Sequence, residues 1–117
     1  MINRLGRPLF AALSLIVFSF VISVSAQDLD DVTISGRITD SAGLAVVGAT
    51  VKVTQIETGA ERTAISNDEG RYRLIELKPG VYKVTVFQTG FGTKERTELK
   101  TVSGQNLQID FQLSPAD

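Results

Sequence analysis

Residues 63–91, TAISNDEGRYRLIELKPGVYKVTVFQTGF, decide the fold class. Two blocks alternate apolar and polar residues. Tyr72 and Leu74 share one parity, with Arg71 and Arg73 on the other. Tyr82, Val84 and Val86 share one parity, with Lys83 and Thr85 opposite. Successive side chains of a strand point to opposite faces, so each block reads as a strand with one buried face. Asn67-Asp68-Glu69-Gly70, ahead of the first block, is the strongest turn in the chain. Asn and Asp side chains cap nearby amides there, and Gly tolerates positive φ. Lys78-Pro79-Gly80 separates the blocks as a second turn, with Pro fixing φ and Gly expected in the left-handed position. Gly90-Phe91-Gly92 breaks the second strand.

The same period continues on both sides. Val32, Ile34 and Ile38 fall on one face, and Thr33, Ser35, Arg37 and Thr39 on the other. Asp40-Ser41-Ala42-Gly43 is a turn. A strand over 49–56 points Val51 and Val53 inward and Lys52 and Thr54 outward. Glu57-Thr58-Gly59-Ala60 connects it, hairpin-like, to a more polar strand over 61–66, which has Ile65 inward and lies near an edge. Residues 94–102 contain KERTELK, a charged strand suited to an exposed edge that must resist pairing with other chains. Leu107, Ile109, Phe111 and Leu113 alternate with Gln108, Asp110 and Gln112 in a last, half-buried strand. No helical period and no internal repeat interrupts this pattern. Seven or so short strands with a turn every 8 to 12 residues predict an all-β, antiparallel β-sandwich.

The N-terminus has a different character. Residues 1–8 carry Arg4 and Arg7 and no acid, residues 9–24 are an almost purely apolar run of 16, and Val24-Ser25-Ala26 ends it with small residues. A positive start, an apolar middle and a small-residue exit form a secretory signal pattern, with cleavage expected after Ala26. The competing reading is an uncleaved anchor, although a spanning helix needs about 20 apolar residues. No cysteine follows the run, which excludes a lipoprotein anchor. The expected organisation is a signal peptide at 1–26, a mobile acidic N-terminus at 27–31, a β-sandwich at 32–114 and a tail at 115–117.

Composition excludes several functions. Beyond residue 26 stand ten basic and thirteen acidic residues, a net charge of −3 with no basic patch. Nucleic acid is therefore not an expected partner. The chain has no His, no Cys and no Trp. Ser-His-Asp and Cys-His catalysis are impossible within it, as is a zinc site of the usual His/Cys type. No catalytic residue, metal or cofactor is expected.

The series of turns resembles the carboxypeptidase regulatory-like domain. The matching residues are Gly36, Asp40, Gly43, Gly48-Ala49-Thr50-Val51, Thr58-Gly59, Asn67-Asp68-Glu69-Gly70-Arg71-Tyr72, Leu77-Lys78-Pro79-Gly80-Val81-Tyr82 and Gly90-Phe91. The resemblance covers about residues 32–113. It implies a transthyretin-like or prealbumin-like sandwich of Greek-key type, a domain that is accessory beside some metallocarboxypeptidases. The variant that opens just after a signal peptide looks most like the segment preceding the plug of TonB-dependent outer-membrane receptors. A membrane barrel needs at least eight strands of roughly ten residues, for which no room remains. A free-standing secreted domain or the front of a truncated receptor gene is the expectation.

Candidate contact residues follow from parity and charge. Phe87 is the aromatic with outward parity, and Phe91, between glycines, folds back over the sandwich end. Tyr72, Tyr82 and Phe111 belong to the core. Arg71, Arg73 and Lys83 alternate on outward faces, as an anion-binding surface or as a solvated face balanced by Glu57, Glu61 and Glu76. Asp68 with Glu69, and Asp28, Asp30 and Asp31, lack the ligand count of a calcium loop and read as a capped turn and a solvated end. The resulting expectation is an exported, non-catalytic envelope domain that binds a protein or a polysaccharide. Phe87, Phe91, Arg71 and Arg73 are its candidate contacts. The alternative is a carbohydrate-binding module, by analogy of fold.

Overall fold

The computed structural model describes residues 29–117, and the signal-peptide reading of 1–26 lies outside them. Eight strands make two sheets: β1 (Val32–Thr39), β2 (Thr50–Gln55), β3 (Glu61–Ile65), β4 (Arg71–Leu77), β5 (Val81–Phe87), β6 (Lys94–Lys100), β7 (Asn106–Gln108) and β8 (Phe111–Gln112). Sheet I has the order β4-β1-β7, with β8 also on β1, and sheet II the order β3-β2-β5-β6. The described residues contain no helix long and apolar enough to cross a membrane.

Alternation puts the core between the sheets. Val32, Ile34 and Ile38 of β1 meet Val51 and Val53 of β2 and Tyr82, Val84 and Val86 of β5 in one buried cluster. Tyr72, Leu74 and Leu77 of β4, Ile109, Phe111 and Leu113 from the C-terminal segment, and Val46, Ala49 and Leu99 complete it. Each fully buried Val or Ile contributes roughly 1.5–3 kcal/mol of transfer free energy. With no disulfide, that burial and the sheet ladders carry the stability.

Both tight connections between the sheets are the turns that dominate the sequence. The turn at 67–70 carries the chain from β3 to β4. Asn67 Oδ1 accepts the amides of Glu69 and Arg71, both at 3.0 Å, and Gly70 sits at φ 76°. Residues 78–80 carry the chain back from β4 to β5. There the Tyr82 hydroxyl donates to the Lys78 carbonyl, a link from strand start to preceding corner like that of immunoglobulin-type sandwiches. Gly80 has φ 158°, far from the left-handed value expected for it.

Two edge strands are bulged. The register of β4 on β1 shifts between Val32 and Ile34, and that of β6 on β5 between Tyr82 and Val84. Glu76 and Glu98 lie at these shifts with φ 57° and 56°. The extra residue restores inward parity to Leu77 and Leu99, which are buried. Charged side chains and bulges together blunt these edges against pairing with other chains.

Two further expectations need correction. Ile65 is not inward: the register sets Ala64 opposite buried Val51 and Ile65 opposite Thr50, leaving Ile65 60% exposed. The inward place beyond it belongs to Ser66, whose hydroxyl accepts the Ala49 amide at 2.8 Å and donates to the Val46 carbonyl at 2.7 Å. The last strand is neither continuous nor antiparallel. It runs parallel to β1 as β7 and β8, with Ser35 opposite Gln108 and Ile38 opposite Phe111. Between them the Arg37 amide donates to the Asp110 carboxylate at 2.8 Å, where an unbroken ladder would use a carbonyl. Ahead of β1, two acidic residues contact the domain. The Asp30 carbonyl accepts the Gly104 amide, and Asp31 lies 3.6 Å from the Lys78 ammonium.

Candidate functional site

β4 is an outer strand of sheet I and packs against β3, an outer strand of sheet II. Along this side runs an open groove of about 460 Å³. β4 contributes Arg71, Tyr72 and Arg73, and β1 contributes Ser35 and Gly36. Ala64, Ile65 and Asn67 come from β3 and the turn after it, and Gln108 comes from β7. A shallower hollow of about 390 Å³ lies beside the 67–69 turn, lined by Val47, Ser66, Asn67, Asp68 and Glu69.

The cations of the groove are held differently. Arg71 Nε lies 3.2 Å from Glu69 Oε2, and Arg37 Nε donates to the Glu69 carbonyl at 3.1 Å. Arg73 has no hydrogen-bond or ion-pair partner among the described residues. The groove floor is fixed by Tyr72, whose buried hydroxyl donates to the Ile109 carbonyl. Burial, followed by the nearby Asp110 carboxylate, pushes the Tyr72 phenol well above its ordinary value, so it is a neutral structural donor at physiological pH. The Tyr82 phenol is also raised, mainly by burial.

The four expected contact residues do not form one site. Arg71 and Arg73 share the groove. Phe87 is 43% exposed on the outer face of sheet II, where the register aligns Ile65, Thr50 and Phe87 in a row. Phe91 is half-buried, packs against the core and bridges to Pro115. Ser35, Gln108 and Ile65 belong to the groove without having been singled out from the sequence. Only the parallel pairing of β7 with β1 brings Gln108 beside Ser35, and no strand pattern announces that pairing.

The arrangement has no nucleophile–base pair, and the chain contains neither His nor Cys. Among the described residues, no three or more Asp, Glu, His or Cys side chains group to hold a metal ion. The groove can recognise a ligand through a guanidinium, an amide and a hydroxyl.

The carboxypeptidase regulatory-like domain family matches residues 33–114. The chain belongs to that family. Among solved structures it is similar to a Bacteroides uniformis protein described as carbohydrate binding, at 24% identity and TM-score 0.57, covering 72% of this chain and 41% of that one. A chain of a type II cohesin–X–dockerin complex from Acetivibrio cellulolyticus aligns at 18% identity and TM-score 0.56, covering 74% and 59%. Hydroxyquinol 1,2-dioxygenase from Pseudomonas putida aligns at 9% identity and TM-score 0.58, covering 74% and 57%. These likenesses establish the sandwich fold alone. The chain spans between 16% and 61% of the lengths of these and similar solved chains. No curated protein matches it.

Proposed function

We propose that this chain is an exported, non-catalytic binding domain of the cell envelope, related in role to the accessory domain that precedes the plug of TonB-dependent receptors. The observation that carries the binding role is the groove beside β4, where Arg73 stands without a protein partner among the described residues. Residues 1–26 support export, through their positive start, apolar run and small-residue exit. The missing His and Cys support a non-catalytic role. So does the family, whose description is regulatory-like.

The test is capture. Immobilised protein is incubated with envelope extract and with insoluble polysaccharides, and a retained protein or glycan is the expected result. A monodisperse monomer that retains neither refutes the reading. Intact mass of the exported form checks the leader, with Gln27 as the expected first residue. The reading frame beyond residue 117 distinguishes a free-standing domain from the front of a receptor.

A carbohydrate-binding module is the second reading, favoured by the polar groove and by the likeness to the Bacteroides uniformis protein. A glycan array with no retained glycan removes it.

A further inference from the structure

Sheet I carries a row of side chains whose hydrogen-bonding groups are unused among the described residues. Arg73 on β4 stands opposite Ser35 on β1, and Ser35 stands opposite Gln108 on β7. All three line the groove. Adjacent strands lie about 4.8 Å apart, so the row spans about 10 Å. None of the three side chains has a hydrogen bond or ion pair among the described residues. The neighbouring charges are committed elsewhere: Arg71 pairs with Glu69, Arg37 Nε donates to the Glu69 carbonyl, and Asp110 accepts the Arg37 amide. On this face Arg73 is the cation without a partner among the described residues.

We infer that the Arg73–Ser35–Gln108 row recognises an acidic polysaccharide, one whose sugar units carry carboxylates. The inference rests on the binding-domain reading above and names its ligand class. A planar guanidinium with two parallel N–H bonds fits a carboxylate. The amide and hydroxyl next to it each donate and accept, which suits the hydroxyls flanking a sugar carboxylate. A neutral glycan would be held by exposed flat rings. The groove supplies none, because Tyr72 is buried and Phe87 lies on the other sheet. A peptide docking as an added strand would pair its backbone with a sheet edge. The bulge at Glu76 and the charges along β4 oppose such pairing.

The experiment uses the full chain and measures binding of oligogalacturonate, of the same oligomer with its carboxylates reduced, and of a poly-glutamate peptide. Oligogalacturonate is expected to bind with an affinity that falls as salt rises, and the reduced oligomer is expected to be lost. Arg73→Gln should weaken binding roughly tenfold, the worth of one bidentate charged contact, and Arg73→Lys should restore part of it. Lys94→Gln, on exposed edge strand β6, should leave binding unchanged. Should Arg73→Gln alter the thermal melt, Gln108→Ala provides an independent few-fold loss. Undiminished binding in Arg73→Gln overturns the inference, as does equal binding of the reduced oligomer or tighter binding of poly-glutamate. Capture of a neutral glycan or an envelope protein without oligogalacturonate also overturns it, while leaving the binding-domain reading intact. Failure to bind anything refutes both.

Discussion

Replacing Gly36 by Ala should cost this domain a large part of its stability, although the residue lies mid-strand and the change adds one methyl group. Gly36 shares the inward parity of Ile34 and Ile38 on β1. A Cβ there would lie 1.8 Å from the Ile109 carbonyl oxygen, 2.6 Å from its carbonyl carbon and 3.0 Å from Tyr72 Cε1. The obstructing atoms are mostly backbone, so the segment between β7 and β8 must move by more than an ångström. Three hydrogen bonds depend on its position: Tyr72 hydroxyl to the Ile109 carbonyl, the Ile109 amide to the Ser35 carbonyl at 2.8 Å, and the Arg37 amide to Asp110. Overpacking costs about 1–3 kcal/mol, and each weakened hydrogen bond adds about 1 kcal/mol. The expected loss is about 3–5 kcal/mol, against a total of roughly 5–15 kcal/mol for a domain. Urea unfolding followed by tyrosine fluorescence and far-UV circular dichroism measures it, since the chain has no Trp. Tyr72→Phe alone should cost about 1 kcal/mol. The double variant should lose less than the sum, because both changes act on the same carbonyl. A Gly36→Ala variant within about 1 kcal/mol of wild type, with β7 and β8 still protected from hydrogen exchange, refutes the close-approach reasoning.

Further outcomes follow from the same geometry. Ser66→Ala leaves the Ala49 amide and Val46 carbonyl without their bridging hydroxyl in a buried place. It should lower the unfolding free energy by about 2 kcal/mol in the same urea assay. Glu98→Gly, at φ 56° in the β6 bulge, should hold or raise the melting temperature, whereas Glu98→Val should lower stability by about 1–2 kcal/mol; equal melting points for the two variants exclude backbone strain there. Tyr72 titrates above its ordinary value of 10.0 in the folded chain, so its contribution is fully present below pH 10 and is lost as pH rises beyond it. Stability should therefore fall above pH 10, and Tyr72→Phe should flatten that decline when unfolding is measured across the alkaline range.

Much of the sandwich is legible one strand at a time. Val51 and Val53, Tyr82, Val84 and Val86, and Tyr72 and Leu74 are buried where their parity places them. Phe87 is exposed as its parity requires. Ile65 escapes that logic because β3 is a short edge strand, and its register on β2 selects Ala64 and Ser66 for the inward side. The groove was half visible. Alternating Arg71 and Arg73 mark an outward cationic strand, but nothing local says that Glu69 occupies the first and that the second stands without a partner among the described residues.

What the sequence by itself determined is the set of strands, their buried faces and the turns at 67–70 and 78–80. These depend on period-two alternation and on residues whose backbone preferences act over a few positions. Only the tertiary structure decided the parallel pairing of the C-terminal segment with β1 and the break at Asp110. It also decided the close passage of Ile109 over Gly36 and the row of Arg73, Ser35 and Gln108. Each joins residues more than thirty positions apart, and strand order depends on how two sheets share one core rather than on any local preference.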